Sequence, residues 1–299
     1  MESQQGFVLT RQWRDGRKGV ELEYWLASGS GPIQVFPPAQ KSVLFLPLAQ
    51  KTASEQLLKD FSGWSCRDVA MQDFNLQPVF ACYFLSQRTL REARVCLLAA
   101  GLEPYESDVN PHDRFLMERF IRGSVRFRGQ QKKLSNFQIV NDAEMTASDF
   151  LPHLKTVSLD IETAMDNITL YSIGLYACHE GKEYRRVLMV SDHWVDDDVE
   201  IFSDEKSLLL RFFDWLAGYD PDIFIGWNIV NFDMWFLERV CQKYRIPFRL
   251  GRGRRGREAT AHWRLLDDDG DRRAISVPGR VVLDGIELLK AAFYQFESF

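Results

Sequence analysis

Hydrophobic and polar residues alternate in the sequence VSLDIET, which begins at Val157. Side chains along a strand point to opposite faces in turn, so Val157, Leu159 and Ile161 are predicted to share a buried face. Asp160 and Glu162 then share the other face, with Cα atoms about 7 Å apart at a rise of about 3.3 Å per residue. Two carboxylates this close repel each other where solvation is poor. The pattern predicts either the solvated end of a strand or a site for a divalent cation such as Mg²⁺ or Mn²⁺.

Apolar runs elsewhere in the second half of the chain predict an α/β layer. Strands at 156–162, 168–177 and 184–190 follow one another with short connections, which is typical of an antiparallel meander. A helix is then predicted from an N-cap at Ser203 to a stop at Gly218. The remaining predicted elements are a strand in DIFIGW, a helix in NFDMWFLERVCQKYR, a hairpin around residues 267–271, a strand in RVVLDG and a helix from Ile286. This order predicts helices built on a mixed sheet.

The first half of the chain predicts a different, β-rich unit. Short apolar runs separated by turns predict strands in GFVLTRQW, VELEYWLA, PIQVFPP, SVLFLPL and PVFACYFLS. Helices are predicted in ASEQLLKDFSG, in QRTLREARVCLLAAG with Gly101 as its C-cap, and in PHDRFLMERFIRG with Pro111 near its first position. A polar stretch at 141–155 follows. The predicted organisation is a β-rich domain at 1–150 and an α/β domain at 151–299.

The composition excludes several classes of protein. The chain has 299 residues, 45% of them hydrophobic and 26% charged, which is typical of soluble globular proteins and sufficient for two domains. No apolar run approaches the roughly 20 residues needed to span a bilayer, so a membrane protein is not expected. The first residues lack the order of a secretory signal, and a cytoplasmic location is expected. Five scattered cysteines without C-x-x-C spacing argue against a disulfide framework or a zinc site.

Charge is distributed unevenly along the chain. The net charge of −5 does not favour a nucleic-acid binder, which usually carries a basic surface. Seven acidic residues fall within 192–205, whereas RLGRGRRGR at 249–257 has five arginines and RGSVRFRGQQKK at 122–133 has five basic residues without an acid. Local patches of this kind can bind phosphates despite a negative total. A solvated flexible loop explains the arginine-rich stretch equally well.

A third acid, Asp233, lies on the apolar face of a predicted helix. The positions three, four and seven residues further on are apolar, so this acid is predicted to face the sheet. An acid in the first helical turn is also favoured by the helix dipole alone. The preceding strand, however, delivers the helix to the carboxyl end of the sheet, where open α/β layers place their sites. Asp160, Glu162 and Asp233 are therefore expected to converge on one edge.

The sequences LDIET and GWNIVNFD resemble the first and second exonuclease motifs of the family B DNA polymerases, whose proofreading domains have a ribonuclease H-like fold. The pairing of D-x-E with a later N-x-x-x-F-D is more specific than either motif alone. Three further stretches look like the bacterial DNA polymerase II branch: GFVLTRQWRD, PYESDVNPHDRFLMERFI and GRVVLDGIELLKAAFYQFESF. The resemblance covers essentially the whole chain. It implies a ribonuclease H-like exonuclease domain with a mixed sheet, preceded by a β-rich N-terminal domain.

The resemblance also implies a role for individual residues. Asp160 and Glu162 would be metal ligands of the first motif, Asp233 would be the acid of the second, and all three would be catalytic. Asn228 would be a polar support and Phe232 a packing residue. The implied cofactor is Mg²⁺ or Mn²⁺ in a two-metal site, where ions about 4 Å apart activate water and stabilise the leaving 3′-oxygen. The five histidines are dispersed, so no Ser, His and Asp constellation competes.

The implied function is 3′→5′ proofreading within a DNA polymerase of replication or repair, acting on single-stranded 3′ ends and primer-template DNA. The third exonuclease motif and the polymerase palm motifs of the family have no counterpart in these 299 residues. The chain is therefore expected to be an N-terminal fragment with an incomplete site, inactive as a polymerase and weak or inactive as an exonuclease. Two alternatives stay open: a catalytically silent nucleic-acid-binding module of the same fold, and a self-standing nuclease that acts on RNA.

For the surface of the molecule, the sequence supports fewer predictions than for the site. Arg252, Arg254, Arg255 and Arg257 are expected near the path of the DNA backbone. The predicted hairpin at about 263–277 resembles the family element that helps separate primer from template. The N-terminal domain is expected to be a scaffold beside the template, with no residue assigned. A sliding clamp would be contacted through further parts of the parent protein, which is expected in the bacterial cytoplasm at the nucleoid.

Overall fold

The structure is a computed structural model that describes residues 3–165, 167–253, 259–267 and 272–292. The chain divides into two compact units. The first comprises Met1–Tyr24 and Gly31–Phe150, and the second comprises Trp25–Ser30 and Leu151–Phe299. Within the described ranges, no helix is long and apolar enough to cross a membrane.

The first half of the chain contains eight strands and three helices. The strands are β1 (Gln4–Gly16), β2 (Gly19–Ser28), β3 (Gly31–Phe36), β4 (Ser42–Pro47), β5 (Trp64–Gln72), β6 (Pro78–Phe84), β7 (Ser124–Lys133) and β8 (Gln138–Ala147). The helices are α1 (Lys51–Leu58), α2 (Gln87–Ala99) and α3 (Pro111–Met117), with a 3₁₀ turn at Leu48–Gln50.

Five of these strands form a closed barrel in the order β1-β2-β3-β8-β7. Strand β3 pairs with β8 in parallel, and β1 closes the barrel by antiparallel pairing with β7. The stretch between β3 and α3 contains a separate antiparallel sheet in the order β4-β6-β5. Helices α1 and α2 contribute to the core of this sheet, whose buried side chains include Leu44, Phe80, Phe84, Leu90 and Leu97.

The first unit departs from the sequence-based expectations in three strands and one helix. Strands β5, β7 and β8 were not predicted, and the stretch expected to be a polar connection at 141–155 begins as strand β8. Strand β5 has no buried residue and β8 alternates exposed polar side chains with few large apolar ones, so neither has a strong periodic signal. Helix α3 begins at Pro111 as predicted but ends at Met117. Gly101 follows α2 with a φ of +76°, as its predicted capping role requires.

From Leu151 onward, the described residues of the second unit contain eight strands and three helices. The strands are β9 (Thr156–Thr163), β10 (Leu170–His179), β11 (Lys182–Val190), β12 (Val199–Phe202), β13 (Ile223–Gly226), β14 (His262–Leu265), β15 (Arg273–Ser276) and β16 (Val281–Asp284). The helices are α4 (Glu205–Tyr219), α5 (Trp235–Lys243) and α6 (Gly285–Ala291), and a π-helical turn at Val230–Met234 precedes α5.

Six strands form one mixed sheet in the order β12-β11-β10-β9-β13-β16. Strands β9, β10 and β11 pair antiparallel, which confirms the predicted meander. Strand β13 lies parallel to both β9 and β16, so these three strands end at the same edge of the sheet. The core includes buried side chains from α4, among them Leu208, Phe212 and Leu216. The predicted mixed α/β fold is confirmed.

Details at the ends of α4 differ from the prediction. The N-cap is Asp204, one residue beyond Ser203, because its carboxylate accepts the Ser207 N–H at 2.8 Å. The helix continues past Gly218 to Tyr219 and ends where Asp220 adopts a left-handed φ of +53°. Strand β12 was not predicted. It lies in the acid-rich stretch, and its four residues are all only partly buried, so its sequence carries no strong alternation.

Glu205 links three elements of the second unit. It is buried at the start of α4, where its carboxylate accepts the Leu170 N–H of β10 at 2.6 Å. The Lys243 ammonium donates to the same carboxylate at 2.7 Å, and the Tyr244 hydroxyl donates as well. Burial alone would raise the pKa of Glu205, but these three donors hold it below its usual value. The end of α5 is thereby tied to α4 and to β10.

Replacing Glu205 by alanine is expected to lower the free energy of unfolding by about 2 to 3 kcal/mol, because three buried or half-buried donors lose a charged acceptor. Urea denaturation followed by tryptophan fluorescence measures the change. The matched control is Asp214→Ala on the same helix, where an exposed carboxylate lies 3.6 Å from Arg211. That pair is expected to contribute less than about 0.5 kcal/mol. Equal losses for both variants would contradict the linking role of Glu205.

Candidate functional site

Asp160 and Glu162 lie on the exposed face of β9, as the alternation predicted. Val157, Leu159 and Ile161 on the opposite face are at most 5% exposed, whereas both acids are exposed. Across the antiparallel pairing with β10, Asp160 is opposite Gly174 and Glu162 is opposite Ser172. The small side chains opposite leave the two carboxylates open to solvent.

Asp233 reaches the same strand from the π-helical turn. It is 1% exposed, and its Oδ1 accepts the backbone N–H of Ile161 at 3.0 Å. Ile161 lies between Asp160 and Glu162 in sequence, so this hydrogen bond places the third acid beside the first two. The predicted helix therefore begins differently than expected, with a wide turn in which Met234 N–H bonds to the Ile229 carbonyl. Such turns are frequent at functional sites.

The electrostatic environment of Asp233 resists its ionisation. Burial is the main cause and the charge of Asp160 adds to it, and together they raise the pKa of Asp233 to about 7. The N–H of Ile161 acts in the opposite direction, and the charge of Asp284 makes a further raising contribution. A carboxyl group in this environment favours either a proton or a nearby cation at neutral pH.

Gly226 and Asn228 shape the backbone that leads from β13 to the π-helical turn. A Cβ at Gly226 would lie 2.8 Å from the Leu159 carbonyl oxygen and 2.9 Å from the Ile229 Cβ, so only glycine lets β13 approach β9 here. Asn228 has a φ of +57°, which asparagine tolerates better than most residues, and its carbonyl accepts the Phe232 N–H at 3.0 Å. Asn228 thus has a backbone role at the start of the turn.

Phe232 is less buried than a packing residue would be. Its ring lies 6.1 Å from the ring of Phe236, and 40% of the residue is exposed beside Asp233. It therefore combines contact with α5 and an apolar surface open to solvent at the edge of the sheet.

Asp284 is a fourth acid at this edge that the sequence-based prediction missed. It ends β16 and is 5% exposed, with Oδ2 accepting the Val230 N–H at 3.1 Å and Oδ1 accepting the Ile286 N–H at 3.0 Å. The first bond holds the start of the π-helical turn, and the second caps α6. The available signal was the sequence VVLD, an apolar strand ended by an acid like LD in β9.

The donor set at the edge fits a divalent cation only in part. Among the described residues, no three acidic, histidine or cysteine side chains are close enough together to enclose a metal ion. Exposed carboxylates from Asp160 and Glu162 nevertheless provide the oxygen ligands that Mg²⁺ and Mn²⁺ prefer. Magnesium sites that act on phosphates commonly use one or two protein carboxylates together with substrate oxygens. The structure brings Asp233 into electrostatic contact with Asp160, and Glu162 shares the exposed face of the strand.

Comparison with known proteins identifies the family. The family model for the exonuclease domain of family B DNA polymerases matches residues 102–297, which is most of the chain. The chain belongs to the family B DNA polymerases. Two further models match the rest of this family B chain: the N-terminal domain of DNA polymerase II at residues 6–41 and its insertion domain at residues 42–102. The inserted β4-β6-β5 sheet with α1 and α2 falls within the last of these.

Individual relatives agree with the family match. DNA polymerase II of Escherichia coli is 38% identical over 99% of this family B chain and 37% of the relative. A DNA polymerase of Thermococcus kodakarensis is 34% identical over 44% of the chain and 8% of the relative. The chain thus spans little more than a third of the length of the first of these. The family B polymerase structure from Pyrobaculum calidifontis shares the fold, with a TM-score of 0.73 at 17% identity over 97% of this chain and 37% of that one.

The expectation that Arg252 of the family B chain contacts DNA is wrong, because this side chain is buried. It is 6% exposed, and its guanidinium binds the carboxylates of Asp220 and Asp222, each at 2.9 Å, and the Gly279 carbonyl at 2.8 Å. Arg280 is 5% exposed and binds the same Asp220 carboxylate at 2.8 Å. Asp222 immediately precedes β13 and Arg280 immediately precedes β16, so the cluster joins the amino ends of these two strands. At their carboxyl ends, β13 leads to the π-helical turn and β16 carries Asp284.

The other arginines of that loop, Arg254, Arg255 and Arg257, lie outside the described residues. The predicted hairpin is present as β14 paired with β15, although its acidic tip at 268–271 also lies outside them. Its second strand is tied to the π-helical turn, because the Asn231 side chain accepts the Arg273 N–H at 2.9 Å.

Asp233 is expected to make stability depend on pH in the absence of metal. The pKa of Asp233 is raised on folding. Its contribution to the free energy of unfolding is therefore most favourable below about pH 4, declines as the pH rises towards 7, and is constant above that. Asp233→Asn keeps an oxygen acceptor for Ile161 and removes the ionisation. Between about pH 5 and pH 8 in EDTA, the variant is expected to lose roughly 3 kcal/mol less stability than the parent chain. Urea denaturation measures this, with exposed Asp192→Asn as control; the same pH dependence in all three proteins would contradict the assignment.

Arg252→Ala is expected to lower the free energy of unfolding by about 3 to 5 kcal/mol, because it leaves the buried carboxylate of Asp222 without its cation and Asp220 with Arg280 alone. Thermal and urea denaturation measure the loss. Arg249→Ala is the matched control, since Arg249 is an exposed arginine in the same loop, and it is expected to change stability by less than about 0.5 kcal/mol. A loss for Arg252→Ala as small as that of the control would mean that the cluster contributes little to the fold.

Proposed function

We propose that Asp160, Glu162 and Asp233 form the proofreading site of a DNA polymerase, where nucleotides are removed from the 3′ end of single-stranded DNA. The observation that carries the proposal is the hydrogen bond from Ile161 to Asp233, which joins the acid of GWNIVNFD to the strand of LDIET. The family match supports it, because the match to the exonuclease domain includes all three residues. The polymerase activity itself is proposed for the parent protein.

The three acids have different roles in this proposal. Asp160 and Glu162 are exposed and bind a divalent cation, Mg²⁺ or Mn²⁺, through carboxylate oxygens. Asp233 keeps one oxygen bound to Ile161, and its carboxyl group lies close enough to Asp160 for the charge of that residue to raise its pKa. When bound, the metal supplies an activated water and charge stabilisation for the phosphate and the departing 3′-oxygen. The protein contributes the orientation of its carboxylates on a rigid strand and a turn held by Asp284.

The substrate in this proposal is a frayed 3′ end rather than a duplex. Phe232 and Trp227 are 40% and 54% exposed at the same edge as the carboxylates. Exposed aromatic rings bind unpaired bases by stacking without regard to sequence, as a proofreading site requires. The hairpin of β14 and β15 is tied to the π-helical turn through Asn231 and Arg273, which is consistent with a part in separating primer from template. Contact with a sliding clamp stays a prediction for the parent protein.

A catalytically silent binding module is the second candidate. It is favoured by the absence, among the described residues, of three ligands arranged around a metal. Metal dependence separates the two candidates. A silent module binds single strands equally well with and without metal and does not degrade them, whereas the proofreading site cleaves only with metal.

The 299-residue chain is expected to degrade a labelled single strand at least about 10²-fold more slowly than a polymerase that contains all three exonuclease motifs. The third motif has no counterpart in these residues, and loss of a charge-stabilising group commonly lowers a rate by that factor. Polymerase activity of the chain is expected to be absent. The measurement is the shortening of a 5′-labelled oligonucleotide in Mg²⁺ and in Mn²⁺, with Asp160→Ala expected to abolish what activity remains.

Asp192→Ala is the control, because Asp192 is an exposed acid of the same unit outside the proposed site. Activity that survives Asp160→Ala would show that the proposed site does not catalyse the cleavage. Rapid cleavage by the chain that vanishes in Asp160→Ala but not in Asp192→Ala would show that three acids suffice, and the expectation of an incomplete site would be wrong.

A further inference from the structure

Strand β7 carries an exposed row of basic side chains on the barrel. Arg126 and Arg128 alternate with Val125 and Phe127, which are at most 1% exposed and point into the barrel, and Lys132 continues the same series of every second residue. Buried and exposed residues alternate from Val125 to Gln130, and the last four residues of the strand are all exposed. The irregularity in the pairing with β8 places the extra residue on β8, so β7 keeps its period of two. Arg126, Arg128 and Lys132 therefore share the outer face of the barrel, and Lys133 is exposed one position further on, where the strand ends.

The neighbours of this row carry little negative charge. Arg126 is paired across the ladders with Gln5 of β1 and Thr146 of β8, both uncharged and exposed. Arg128 binds Glu144 at 2.5 Å, in a pair where both side chains are more than 60% exposed. Lys132 and Lys133 end the strand and are also exposed. Exposed pairs of this kind are weak, so even Arg128 can exchange its partner for a phosphate at little cost.

The barrel has the strand connectivity of an OB-fold. Numbered within the barrel, its order is 1-2-3-5-4 with strands 3 and 5 parallel, and strand 4 closes against strand 1. OB-folds bind oligonucleotides through the face of their second and third strands and through two loops, one of which joins the last two strands. Here that loop follows Lys132 and Lys133 directly.

The usual binding face of such a barrel is unsuitable in this chain. Strands β2 and β3 contain no lysine or arginine, and β2 carries the acids Glu21 and Glu23. Most of their side chains are buried. A row of basic residues lies instead on β7 and at its end.

We propose that the outer face of β7, with Arg126, Arg128 and Lys132, binds the backbone of single-stranded DNA together with Lys133 at the end of the strand. This surface goes beyond the proposed nuclease site and would act whether or not that site is active. Side chains two residues apart on a strand are about 7 Å apart, which is comparable with the spacing of phosphates along an extended single strand. The phosphate backbone of a stiff duplex winds away from a straight row of cations, whereas a flexible single strand can follow the row.

The binding is electrostatic and independent of base sequence, because no exposed aromatic side chain lies on β7. Each phosphate contact with a single strand contributes about 0.7 to the slope of log affinity against log salt concentration. Removing three cations is therefore expected to reduce that slope by about 2 and to weaken binding about tenfold at low salt.

The experiment compares a triple variant, Arg126→Gln with Lys132→Gln and Lys133→Gln, with the unchanged 299-residue chain. Fluorescence anisotropy of a labelled oligothymidylate is measured in EDTA over a range of salt, so that metal binding and cleavage play no part. The matched control is Lys59→Gln with Arg88→Gln and Arg91→Gln, which removes the same charge from exposed positions on or next to α1 and α2. Circular dichroism melting establishes that each variant is folded.

The β7 variant is expected to lose affinity and salt slope as stated, while the control changes affinity by less than about twofold. Equal losses in both variants would show a response to net charge alone and would overturn the proposal. Unchanged affinity of the β7 variant would overturn it directly. An equal loss for a duplex of the same length would overturn the assignment to single strands. Poly-L-glutamate that displaces the oligonucleotide as well as unlabelled oligothymidylate does would show a generic polyanion surface, and that outcome also contradicts the proposal.

Discussion

The hydrogen bond from the Ile161 amide to Asp233 is the contact on which the arrangement of the site depends. Strand β9 offers this amide between two acids, and the π-helical turn reaches it because its wide first turn displaces Asp233 toward the sheet. Burial of Asp233 follows from the same approach and raises its pKa to about 7. The N–H of Ile161 itself lowers this pKa, so the preference for a proton or a cation at neutral pH comes from the burial that accompanies the contact and from the charge of Asp160.

That contact is supported at both ends of the parallel strands. At the carboxyl ends, Asp284 holds the amide of Val230 and so fixes the start of the turn. At the amino ends, Arg252 and Arg280 join the segments that precede β13 and β16 through shared carboxylates. Burial, followed by the charge of Arg252, lowers the pKa of Arg280 to about 10, which still leaves it charged at neutral pH. The acids thus lie beside strands, β13 and β16, that side chains hold in place at both ends.

Arg252 shows why charge patterns identify surfaces less well than apolar patterns identify cores. Five arginines among glycines have the composition of a phosphate-binding loop, yet the sequence contains no signal that one of them has two aspartates within reach. Those aspartates precede β13, about thirty residues earlier in the chain, and only the folded chain brings them together. The basic stretch at 122–133 differs, because strand alternation places Arg126, Arg128 and Lys132 on the outer face of β7 while Val125 and Phe127 fill the barrel.

The sequence by itself determined the meander of β9, β10 and β11, the exposed face shared by Asp160 and Glu162, and the inward direction of Asp233. Each of these depends on periodicity within one element, which neighbouring residues set. The resemblance of LDIET and GWNIVNFD to family motifs also predicted the family, which the comparisons confirmed. Only the tertiary structure decided the burial of Arg252 and the existence of β5, β7, β8 and β12. It also decided the role of Asp284, which holds the start of the π-helical turn. These depend on pairing between distant segments, where a partner strand or a buried counter-charge outweighs the local preference of the residues involved.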